Sequence, residues 1–72
     1  MAVFDARPII AAGGEPFEQI MSAVAALAPD EEFVVTAPVE PVPLEAVLGA
    51  QGFSFEALDL GGDWQVTFRR AS

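Results

Sequence analysis

Apolar residues recur along this chain with two different periods, and each change of period marks an element. Ala2 to Asp5 contains Val3 and Phe4 and suits a short first strand, which Pro8 ends because it has no N–H to give a ladder. Arg7 to Gly14 is expected to be a loop, with Ile9 and Ile10 set among a proline and two glycines. One reading puts one of these isoleucines under the sheet as core, and the other makes them an apolar contact patch; the sequence does not separate the two. The helical period then takes over: Phe17, Ile20, Met21, Val24, Leu27 and Ala28 fall at spacings of three and four, with Glu18, Gln19 and Ser22 outside the stripe. Gly13-Gly14-Glu15-Pro16 opens this helix, since a proline is tolerated in the first turn and Glu15 and Glu18 complement the positive end of the dipole.

Pro29-Asp30-Glu31 turns the chain into Phe33–Ala37, a β-branched and aromatic run that predicts a strand covered on at least one face. Pro38 to Phe55 organises the second half of the chain. Three prolines stiffen a turn, Pro43 suits the start of a second helix with Leu44, Val47 and Leu48 facing in and Glu45 near its positive end, and Gly52 stops it. Phe53 should pack back on Leu48, the apolar contact that accompanies a glycine-capped helix end. Ser54 to Leu60 predicts a third strand and Gly61-Gly62-Asp63 a hairpin turn. The fourth strand is the clearest: Trp64, Val66 and Phe68 alternate with Gln65, Thr67 and Arg69, so it should lie centrally in the sheet.

The order βαβαββ predicts an α+β two-layer sandwich within one domain, residues 1–72. Right-handed crossovers would place both helices on one face of a mixed four-stranded sheet and leave the other face open. At 72 residues and 53% hydrophobic, the chain can order a single core but not two. No apolar run reaches the length of a membrane span, and no basic-then-apolar leader opens the chain, so the expected setting is cytoplasmic, without membrane contact.

Charge narrows the partners. Eleven acidic residues against three arginines give a net charge of −8, a field that repels nucleic acid and anionic lipid. The acidity serves solubility, or complements a basic partner surface. Arg69 and Arg70 are expected to offset nearby carboxylates. With no cysteine and no histidine there is neither a thiol or imidazole nucleophile system nor a soft-metal site, and no calcium-loop spacing is present. Of the carboxylates, Asp5 and Glu15 could in principle work as an acid/base pair where a strand end meets a helix start. The plainer assignments are a pairing of Asp5 with Arg7 and a helix-end role for Glu15. No catalytic residue, cofactor or metal is assigned.

Certain words in the chain resemble a known group: Phe4-Asp5-Ala6-Arg7, Glu15-Pro16-Phe17 with Ile20, Pro41-Val42-Pro43-Leu44, Leu48, Gly52-Phe53, and Trp64 with Phe68-Arg69. Together, from Val3 to Arg70, they resemble a bacterial family of small domains of unknown function related to the TusA (SirA-like) sulfur carriers. The resemblance implies the TusA-like sandwich. In the sulfur carriers the first helix begins with a Cys-Pro pair whose cysteine takes a persulfide. Glu15 stands at the matching position here, and a carboxylate cannot form one, so the activity is not implied. Domains of the non-carrier branch stand beside hemerythrin-like or cupin domains, which links the group to metal or redox proteins by association.

The expected function is therefore a non-catalytic protein-interaction or adaptor domain, monomeric or weakly dimeric, with an unidentified protein partner that could carry a basic surface. Arg7, Ile9, Ile10, Glu15 and Pro16 form the candidate interaction surface. The alternative is a small-molecule or anion-binding domain that uses the Arg7 to Pro16 loop with Arg7 as its cation.

Overall fold

A computed structural model describes residues 1–71. The elements run β1 (Ala2–Asp5), α1 (Arg7–Ala11), α2 (Phe17–Ala25), β2 (Phe33–Ala37), α3 (Val42–Ala50), β3 (Phe53–Asp59) and β4 (Trp64–Arg70). The four strands make one mixed sheet in the order β1-β2-β4-β3: β1 and β2 are parallel, and β4 is antiparallel to both its neighbours. The long alternation of β4 thus does mark a central strand.

The register shows why one face holds the core. Phe33 lies opposite Phe68, Val35 opposite Val66, and Phe55 opposite Phe68 on the other side, so these side chains share a face. Ile20, Val24 and Leu27 from the first long helical stretch and Leu44 and Leu48 from α3 close over that face in a single cluster, in which Phe33, Leu48, Val66 and Phe68 are fully buried. Each of those four contributes about 2–3 kcal/mol of apolar burial. Phe53 joins the same cluster as Leu48, as the glycine stop at Gly52 (φ +93°) requires. The opposite face presents Thr36, Gln65, Thr67, Ser54, Glu56 and Arg69 around the buried Val34, and is polar for most of its extent.

The structure corrects the sequence reading at its N-terminal third. Arg7 to Gly14, expected to be a loop, contains the five-residue helix α1, which makes three helices rather than two and places a helix between β1 and α2. Pro8 does not break this segment, because it sits in the first turn where its missing N–H is not needed, and the Asp5 carboxylate accepts the Arg7 N–H at 3.0 Å. The helix closes through two reversed bonds, Gly13 N–H to the Ile10 carbonyl at 3.0 Å and Gly14 N–H to the Ile9 carbonyl at 2.8 Å, with Gly13 at φ +80°. The two glycines therefore stop α1 as well as lead into α2, which begins only at Phe17.

Candidate functional site

β1 and β2 end at the same edge of the molecule, and the chain returns over that edge twice, through α1 into α2 and through Pro38–Pro41 into α3. The two connections do not meet. Between them lies an open groove of about 680 Å³, floored by Ala6, Val35, Ala37 and Ile20 and walled by Ile10, Phe17, Val39, Pro41, Pro43 and Leu44, with Gly14, Glu15, Pro16 and Glu40 completing it. A crevice at the carboxyl ends of parallel strands is where open α/β sheets take ligands. Its walls are mainly carbon. Ile10 and Phe17 each keep 37% of their surface exposed and Val39 64%, so large apolar side chains stand in solvent around it.

Two charged groups line it, both carboxylates. Glu15 is held in place because its Oε1 accepts the Phe17 N–H at 2.9 Å, satisfying one of the free amides at the start of α2. Glu40 lies in the connection that leads into α3, within hydrogen-bonding reach of the Glu45 side chain. The sequence places Glu45 near the positive end of this helix, and the structure buries it there: it is only 5% exposed, and its Oε2 has no partner among the described residues. Pro41, Glu45 and Leu48 are spaced by four and three, so Glu45 lies on an inward stripe of α3. Burial, and after it the Glu40 carboxylate beside it, pushes the Glu45 carboxyl up to about 7. An unpartnered buried polar atom costs about 1–3 kcal/mol.

The candidate surface read from the sequence is split by the fold. Ile10, Glu15 and Pro16 come together in the groove. Ile9 is half-buried and packs under the turn, where a Cβ on Gly14 would stand 3.0 Å from its Cγ2. Arg7 lies outside the groove lining: its Nε and Nη2 each meet a different Asp5 oxygen at 2.9 Å, and its Nη1 reaches Asp63 at 2.8 Å. This fork ties the end of β1 to the turn before β4. It also holds the Asp5 carboxyl below its ordinary range and the guanidinium above its own. Asp5 and Glu15 thus have separate partners. Arg69 pairs with Glu32, as expected, whereas Arg70 lies over the Phe53 ring, 4.8 Å from its centre, and meets no carboxylate among the described residues.

Val39, Glu40 and Pro41 belong to the site although the sequence presents the proline tract only as a turn. A signal for them exists: Val39 is an apolar residue in a proline-stiffened connection that does not fold it inward. Among the described residues, no group of three or more metal-ligating side chains is present, and no helix is long and apolar enough to cross a membrane.

A small α+β domain with a mixed sheet and an apolar groove at its parallel-strand end is thus the class that fold and site define. The chain belongs to a family described as an uncharacterized conserved protein (DUF2249), which matches residues 3–70. No curated protein and no solved structure matches it.

Proposed function

We propose that this protein is a non-catalytic interaction domain whose groove docks a segment of a partner protein, apolar along its length and carrying a Lys or Arg. The observation that carries this reading is the groove itself: exposed Ile10, Phe17 and Val39 around a cavity of about 680 Å³, with Glu15 and Glu40 as its charged groups. An apolar, acid-lined cleft in a chain of net charge −8 is complementary to a basic, apolar segment in both respects. The TusA-like scaffold is part of this proposal. It is supported by the residue pattern from Val3 to Arg70 and by the two crossover helices packed on one sheet face, and it implies a bacterial, cytoplasmic protein near metal or redox partners.

The cavity volume also lies in the range of small-molecule pockets, which favours a compact ligand as the second reading. An anion is the less favoured form of it, because Arg7 is engaged by Asp5 and Asp63 and the groove carries carboxylates.

Selection from a displayed random-peptide library tests the docking reading. Enriched peptides should combine apolar residues with Lys or Arg, should weaken as salt is raised, and should fail to bind the Ile10→Glu protein. Enrichment of acidic peptides, or binding that Ile10→Glu leaves intact, would refute it.

A further inference from the structure

What the groove can hold is limited by what its walls can give a backbone. Pro16, Pro41 and Pro43 have no N–H. The amides of Ala6, Ile10, Gly14 and Ile20 are bonded to carbonyls of the chain itself at 2.8–3.1 Å, and that of Phe17 to Glu15. Val35 and Ala37 lie in β2, which has a strand on either side. Among the described residues, none of the four in β1, the strand whose outer edge is unpaired, lines the groove. An incoming extended strand would therefore find no free sheet edge here, and would set its own N–H and C=O groups against carbon, which is costly. A polyproline segment keeps its backbone in water, but it docks on aromatic-lined grooves. Phe17 is the one aromatic residue in this lining, and the chain has no tyrosine. An α-helix satisfies its backbone internally and presents only side chains. Ala6 and Ala37 put no more than methyl groups on the floor, which leaves room for the large side chains of such a helix.

We propose that the occupant of the groove is an amphipathic α-helix of a partner protein, with large apolar residues at i, i+3, i+4 and i+7 seated in it and Lys or Arg beside that stripe. This rests on the docking reading and gives the segment its form. Glu15 lies in the connection before α2 and Glu40 in the connection before α3, so basic residues on either side of the apolar stripe each meet a carboxylate. A second copy of this chain is a poor source of the helix. Arg7 is the one basic residue in its three helices and is held by Asp5 and Asp63, and a charge of −8 on each copy opposes the pairing.

The test presents three displayed peptide libraries to the full wild-type chain, all about 12 residues long and equally rich in Leu, Ile, Lys and Arg. They differ in pattern alone: apolar residues at i, i+3, i+4 and i+7, apolar residues at every second position, or proline at every third. Enrichment should come from the helix-patterned library, and a synthetic peptide made from it should shift the amide resonances of Ile10, Phe17, Val39 and Leu44. In that peptide, proline at a central position on the outward side should weaken binding about a hundredfold, and Gly in place of an outward Ala about fivefold, although neither position touches the protein. Enrichment from the alternating or proline-bearing library, with the same amides shifted, would overturn the helix and leave the groove as a docking site. No enrichment from any library, or shifts confined to amides outside the groove, would overturn both. Every comparison is made on the wild-type protein, so none depends on whether a variant folds.

Discussion

Replacing Glu45 by Gln keeps the size of a side chain that is only 5% exposed and removes its charge, so the change isolates what ionisation costs this fold. In the unfolded chain the carboxyl titrates near its ordinary 4.5, and in the folded protein burial and Glu40 hold the proton on until about pH 7. A carboxyl whose folded value is raised favours the folded state while it is neutral. That contribution is complete below pH 4.5, declines as the unfolded chain ionises and the folded protein does not, and is gone above about pH 7. At 1.36 kcal/mol per pH unit, the interval from 4.5 to 7 is worth about 3 kcal/mol, most of which falls between pH 5 and pH 8. Gln is always neutral and its amide can donate to Glu40 as the protonated acid does. Urea unfolding of both proteins from pH 5 to pH 8 should therefore show Glu45→Gln ahead of wild type by about 1 kcal/mol at pH 5 and by about 3 kcal/mol at pH 8. Carboxylates that do not touch Glu45 titrate alike in both proteins and drop out, so the difference belongs to the coupled Glu40–Glu45 pair. A gap that does not change with pH would refute the burial argument.

Asp5 should behave with the opposite sign: its carboxyl is held below 3.8 by Arg7, so its contribution is present above that value and is lost as pH falls below it. Acid unfolding monitored by circular dichroism should thus be less steep at its low-pH end in Asp5→Asn, and an unchanged profile would count against the fork. Gly52 sits at φ +93° with nothing within 4 Å of where a Cβ would be, so Gly52→Ala tests the backbone alone. It should cost about 1–2 kcal/mol in urea unfolding, and an increase in stability would show that the glycine stop is not needed.

Most of the fold can be read from periodicity because burial writes periodicity into a sequence. The alternation of Trp64, Val66 and Phe68 marks the central strand, and the stripe from Phe17 to Leu27 marks the helix that covers the sheet. The stripe runs past the end of α2 at Ala25, because Leu27 reaches the core from the turn beyond it. α1 is hidden for a related reason: its burial is slight, so Arg7 to Ala11 carries no stripe, and its signals are local, a proline allowed in a first turn and a pair of glycines that close a last one. The site is half legible. Ile10, Glu15 and Pro16 stand out as apolar and charged residues in an unusual place, and they do line the groove. The opposite wall, Val39 to Leu44, comes from a segment about 25 residues further on, and no local pattern states that two such connections face each other. Arg7 reads in sequence as the cation of the candidate surface, but two aspartates hold it, and one of them, Asp63, is brought near only by the order of strands in the sheet.

Docking of a basic, apolar segment in this groove is tested most directly by mapping the contact of a selected peptide through amide resonance shifts. The shifts should gather at Ile10, Glu15, Phe17, Val39, Glu40 and Leu44, and weaken with salt. Shifts gathered instead on the open sheet face, at Val3, Thr36, Gln65 and Thr67, would contradict the docking reading and move the working surface to the other side of the molecule.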